Sequence, residues 1–158
     1  MRKLGRRELL RLGGGGAISL LSGVLLPAFA EASAGNEYPR GQCTWAAKEF
    51  RPDIPNHWGH AGGWAQRAVA SHFGVSAYPA ERFVMVFPPA VMGADAAAGH
   101  VAFVQYVDWP MAFITILEAN ARFRDDRYAM SIEGVPILRR VIRLRNVDAR
   151  VRFIRPRV

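Results

Sequence analysis

One cysteine stands in 158 residues, so no disulfide can form within the chain. That excludes the small disulfide-stapled folds, and it removes the second thiol of a Cys-rich zinc module. Nor is there an apolar run of the roughly 20 residues that a membrane-spanning helix needs. The run from Ala17 to Leu26 is about half that length. No internal repeat is visible, which sets aside solenoids and propellers. Acidic residues are scarce, 13 against 21 basic, for a formal charge of +8. No recognised nucleic-acid-binding motif accompanies that charge.

What is present is ordinary globular composition: 51% hydrophobic, 22% charged and 11% aromatic residues. One domain with its own packed core is expected. The basic excess is uneven. Arg2, Lys3, Arg6, Arg7 and Arg11 face only Glu8 in the first 30 residues. A second group, Arg139, Arg140, Arg143, Arg145, Arg150, Arg152, Arg155 and Arg157, faces only Asp148. Such a surface attracts polyanions, nucleic acid or an anionic cell wall, or is simply a solvated strand face.

The N-terminus reads as an export signal over residues 1–30. A basic start precedes the apolar run, and Ala28-Phe29-Ala30 has the small-x-small spacing of a cleavage site. Ala32-Ser33-Ala34 is a second such site. The run G-R-R-E-L-L-R, Gly5 to Arg11, resembles the twin-arginine signal, departing from it at Gly5, Leu9 and Arg11. An uncleaved anchor is the alternative. Residues 31–37 read as a linker, and the folded domain as 38–158. Export places the lone thiol in an oxidising compartment, where an idle cysteine is a liability.

Two helices are predicted early. Cys43, Ala46, Ala47 and Phe50 share one face at i, i+3, i+4, i+7. Gly63 to Phe73 forms the second, with Gly74 as its stop. Strands follow at Phe83–Phe87, His100–Val107, Phe113–Glu118, Arg127–Ile132, Ile137–Leu144 and Arg150–Ile154. Ala90 to Gly99, rich in Ala and Gly, reads as a loop or a loose turn. Helices before strands argue for an α+β fold, N-terminal helices on a largely antiparallel sheet.

Three clusters carry chemistry. In Y-P-R-G-Q-C-T-W, Cys43 opens a helix, where the dipole and unpaired N–H groups favour the thiolate. In G-H-V-A-F-V, His100 heads a strand and is placed as a general base. Ala102, small beside it, leaves room for a neighbouring helix. In I-T-I-L-E-A-N-A, Glu118 and Asn120 are two apart and share a face if the strand continues. Either orients His100 in a Cys-His-polar constellation. His57 and His60 with Cys43 make at most a partial zinc set, so no metal is expected. Trp45, Trp58 and Trp64 read as core or cleft wall rather than a sugar-stacking platform.

The blocks G-Q-C-T-W, G-H-V-A-F-V and I-L-E-A-N resemble the signatures of the CHAP domain (cysteine, histidine-dependent amidohydrolase/peptidase), of the NlpC/P60 papain-like hydrolases. The resemblance implies a papain-like fold and cleavage of amide bonds in peptidoglycan, with no cofactor. It implies Cys43 as nucleophile, His100 as base, Glu118 or Asn120 as orienting group, and Gln42 as oxyanion donor beside the Cys43 N–H. Residues 80–87 lack the P-x-x-G-D motif many members carry, and no aspartate set for calcium surrounds Cys43. The expected protein is an exported monomer of the periplasm or cell wall that binds peptidoglycan, with no nucleic acid and no lasting membrane insertion. A catalytically idle wall-binding module of the same fold is the alternative.

Overall fold

The computed structural model describes residues 35–121 and 126–157. The segment read as an export signal lies outside them, as does most of the linker. Of that linker, Asn36 is tied to the first helix, its Nδ2 donating to Trp45 O (3.0 Å) and Glu49 Oε1 (2.7 Å).

Helix α1 spans Cys43–Phe50 and α2 spans Trp64–Ala70, the latter entered through a 3-10 turn at Ala61–Gly63. The strands are β1 Val75–Ser76, β2 Val84–Phe87, β3 His100–Asp108, β4 Phe113–Glu118, β5 Arg127–Ile132, β6 Val135–Arg143 and β7 Arg152–Ile154. They form one antiparallel sheet in the order β1-β7-β2-β3-β4-β6-β5. The fold is α+β and papain-like, with the helices on one face of the sheet.

That face holds the larger core. Phe50 of α1 stacks on Phe103 of β3, ring centroids 4.8 Å apart. Trp58 meets Trp64 and Phe73 edge-on, at 5.5 and 5.0 Å. Trp45, Trp58 and Trp64 are all buried, so they are core. Alternation puts Met85, Phe87, Ala102, Val104, Ile114 and Ile116 on the opposite face, where they form a second buried cluster. Both faces of the central strands are therefore covered, which explains the near-continuous apolar run of β4.

Several expectations needed correction. Ala102 does not make room for a helix. It lies in the second cluster, and α1 packs over Phe103 instead. The loop before Gly99 is not loose. Val91 and Ala94 seal the second cluster, and Asp95 Oδ1 accepts N–H bonds from Ala97 (2.8 Å) and Ala98 (2.7 Å). Helix α2 stops at Ala70, ahead of Gly74. Phe73 N donates to Ala68 O and His72 N to Val69 O, a Schellman ending with His72 in the left-handed region at φ 62°. Strand β1, two residues on the β7 edge, was too short to show as a pattern.

Arg51, just past α1, is 2% exposed. Its guanidinium donates to Arg82 O (2.8 Å), Ile154 O (3.3 Å), Arg155 O (3.0 Å) and both oxygens of Asp53. The end of α1 is thereby joined to the strands beneath.

The entry to β3 is set by two glycines. Gly99 has φ +69°, and a Cβ there would lie 2.6 Å from Gly62 Cα and from Phe87 O. Gly62 N donates to Ala98 O at 2.7 Å. This close approach fixes the backbone immediately before His100. Gly99→Ala is expected to cost about 2–4 kcal/mol through backbone strain and overpacking. Urea unfolding checks it: the midpoint should fall with the slope unchanged.

Candidate active site

Pro39 to Gln42 form a turn closed by Gln42 N–H to Pro39 O at 3.1 Å, with Gly41 at φ +84°. The turn delivers Gln42 to the N-cap position of α1, its backbone extended at φ −81°, ψ 159°. Its carbonyl accepts from Ala46 N–H at 3.0 Å, and Cys43 is the first helical residue. Cys43 is half-buried. No acidic residue occupies the first turn to oppose a thiolate.

His100 begins β3 and is buried. Its Nε2 lies 2.8 Å from Oε2 of Glu118, the last residue of β4. The imidazole also hydrogen-bonds the Cys43 side chain. Glu118 is wholly buried. Besides His100 it accepts two bonds from Arg140 on β6, Nε to Oε1 at 2.8 Å and Nη2 to Oε2 at 3.2 Å. Phe87 lies beside both cations' positions, 5.5 Å from the His100 ring and 5.4 Å from the Arg140 guanidinium carbon.

Burial alone would raise the Cys43 thiol. The hydrogen bond and charge of His100, with the backbone N–H groups of Val101 and Thr44, outweigh it and bring the thiol below its ordinary value. Burial would likewise lower His100, yet its contacts with Cys43 and Glu118 lift it well above the ordinary imidazole value. The two shifts favour a thiolate–imidazolium pair. The pair is lost on the acid side as the thiolate takes a proton, and on the alkaline side as the imidazolium gives one up. Alkylation of Cys43 by iodoacetamide is expected to show its pH inflection below that of free cysteine, about 8.5. An inflection at or above that value would mean that the His100 contact is not made in solution.

The structure brings Cys43, His100 and Glu118 together. Asn120 follows the strand at φ +51°, and its Nδ2 donates to Gln42 Oε1 at 2.7 Å. Glu118 and Asn120 therefore serve different neighbours. Sequence reasoning missed Arg140. Its signal was parity: Arg140 alternates with Ile142 on the buried side of β6, where a lone arginine demands a carboxylate partner.

A cleft of about 1050 Å³ opens beside the thiol. Its walls include Tyr38, Gln42, His57, His60, Asp95 and Asn120. Among the described residues no group of three or more His, Cys, Asp or Glu is placed to hold a metal ion. No helix among them is long and apolar enough to cross a membrane.

A thiol at the head of a helix, laid across an antiparallel sheet that presents the imidazole, belongs to the papain-like class of α+β proteins. Within that class the chain is a member of the CHAP domain family, whose profile matches residues 33–120. A 98-residue stretch is 38% identical to an N-acetylmuramoyl-L-alanine amidase domain-containing protein of Staphylococcus aureus (strain NCTC 8325 / PS 47), covering 60% of this chain and 16% of that one. The crystal structure of an N-acetylmuramoyl-L-alanine amidase from Staphylococcus aureus superposes with a TM-score of 0.66 at 30% identity. That match covers 82% of this chain and 34% of the other. The chain thus spans well under half the length of either relative.

Proposed function

We propose that this protein is an exported cysteine amidohydrolase that cleaves amide bonds of peptidoglycan, in the stem peptide or at the muramoyl-L-alanine link. The observation that carries the reading is the contact chain from the Cys43 thiol through His100 to the buried Glu118 carboxylate. The names of the amidase relatives point to the substrate.

The thiolate attacks the carbonyl carbon of the scissile amide, and the C–S bond forms as the carbonyl π pair moves to oxygen. The Cys43 N–H and the Gln42 side-chain amide face that oxyanion. Asn120 supports this role, because its bond to Gln42 Oε1 leaves the Gln42 NH₂ to donate elsewhere. The imidazolium then gives its proton to the departing nitrogen and the C–N bond breaks. Neutral His100 next takes a proton from water, whose oxygen attacks the thioester carbon. Cys43 leaves as thiolate, and the imidazolium is restored. Glu118 keeps the imidazole ring oriented through both halves. The reaction needs no cofactor.

Export by a twin-arginine-like signal over residues 1–30 suits a substrate that lies outside the cytoplasm. The enzyme acts as a monomer on the wall, with neither nucleic acid nor membrane as a lasting partner.

The test is digestion of purified peptidoglycan by the full chain, beside the same protein alkylated at Cys43. Its single cysteine makes that blank specific. New amino groups, and peptides separated by mass spectrometry, should come from the unmodified protein alone and name the bond. No products from either sample, across several wall types, would leave an idle wall-binding module as the better reading.

A further inference from the structure

The Glu118 carboxylate has two partners on opposite sides, and only one of them belongs to the proposed reaction. Arg140 is the other. It is 7% exposed, on the strand next to that of Glu118, and it meets the carboxylate through two separate nitrogens. Two-point contact by a planar guanidinium fixes both the position and the rotation of a carboxylate. A single contact to His100 would leave Glu118 free to turn about that bond. Phe87 packs against the guanidinium and the imidazole alike, so the stack has little room to rearrange.

We propose that Arg140 is a positioning residue of the active site, setting the rotation of Glu118 and through it the hold of His100 on the Cys43 thiolate. The contacting chain thus has four members: Cys43 on α1, His100 on β3, Glu118 on β4 and Arg140 on β6. It crosses adjacent strands of the sheet and ends in the second core. Nothing in the hydrolytic chemistry requires a cation there. A buried carboxylate does require one, because an under-partnered charge in the interior is costly.

Among the described residues, the charged groups that meet Glu118 are His100 from β3 and Arg140 from β6. Among the described residues, Cys43 from α1 and Glu118 from β4 act on His100. The strand on the other side, β2, presents Phe87, which is uncharged. Removing Arg140 therefore leaves a carboxylate held at one point and free to turn, so His100 loses part of its hold on that partner. The thiolate loses part of its counter-charge as a result.

The experiment is the pH profile of Cys43 alkylation by iodoacetamide in the full chain, for the parent, Arg140→Met and Arg140→Lys. It reads the thiol directly and needs no substrate, so it stands apart from the peptidoglycan reading. For Arg140→Met the acid inflection should move up by about one pH unit, the scale of losing one close charge contact. Arg140→Lys keeps the charge and loses the fork, and should shift by less than half as much. An unmoved or lowered inflection in folded Arg140→Met would overturn the proposal. Should Arg140→Met fail to fold, Arg140→Lys carries the test on murein, in which case the inference rests on the proposed activity. A kcat lowered about 10–100-fold with KM held is then expected from the displaced geometry. Parental kcat in Arg140→Lys would overturn it.

Discussion

Cys43→Ala is expected to lower turnover on peptidoglycan by about 10⁴-fold or more, since the step that splits the amide has no other nucleophile. Cys43 is the single thiol in the chain, so no neighbour can substitute. Binding should survive, because the side chain is small and is one of many that line the cleft. Cys43→Ser is the sharper variant. It keeps the shape and the His100 contact, but a hydroxyl does not ionise as a thiol does under the same influences. It should be nearly as slow as alanine. The measurement is the initial rate of amine release, with sedimentation on insoluble murein as the binding control. Activity within tenfold of the parent in either variant would sink the covalent mechanism.

Glu118→Gln is expected to lower kcat by about 10²–10⁴-fold, because an amide does not stabilise an imidazolium and presents a donor where an acceptor is required. A stability loss of about 3–5 kcal/mol should accompany it, since the buried Arg140 then loses the Glu118 charge it is paired with. The two losses are separable: kcat is read at saturating substrate, and stability from the urea midpoint. Asn120→Ala makes the comparison. Asn120 is exposed, and its bond runs to Gln42, so the cost should be about 10²-fold or less and stability should barely change. Equal kinetic losses in the two variants would mean that the carboxylate has no privileged place beside His100.

The helices and the larger strands were legible because their signals are local. Cys43, Ala46, Ala47 and Phe50 repeat at helical spacing, and β3 and β4 are rich in β-branched and aromatic residues. Cys43 at a helix start and His100 at a strand start followed from the same patterns. The features that escaped are pairings across long sequence separations. Arg140 meets Glu118 from 22 residues away, and Arg51 meets Ile154 from 103. In sequence Arg140 is one of a series of C-terminal arginines whose charge reads as a solvated strand face, and nothing local marks Arg51 as a clamp. The Ala-rich stretch before Gly99 looked loose because small residues carry little pattern, yet Val91 and Ala94 close one face of the sheet. The choice between Glu118 and Asn120 turned on where β4 ends. One residue of left-handed backbone at Asn120 separates their directions; asparagine tolerates that conformation better than most residues, but its presence alone does not end a strand.

The bonds around Arg51 bear on the chemistry at the other end of α1. An eight-residue helix is a rod roughly 12 Å long. Cys43 rides on one tip, and Arg51 clamps the other to the segment leading into β2 and to β7. Angular play of about 5° at the clamp would swing the thiol by about 1 Å, enough to cost on the order of a hundredfold in rate. The aim of the Cys43 thiol is therefore held by leverage, from a residue that does not line the cleft.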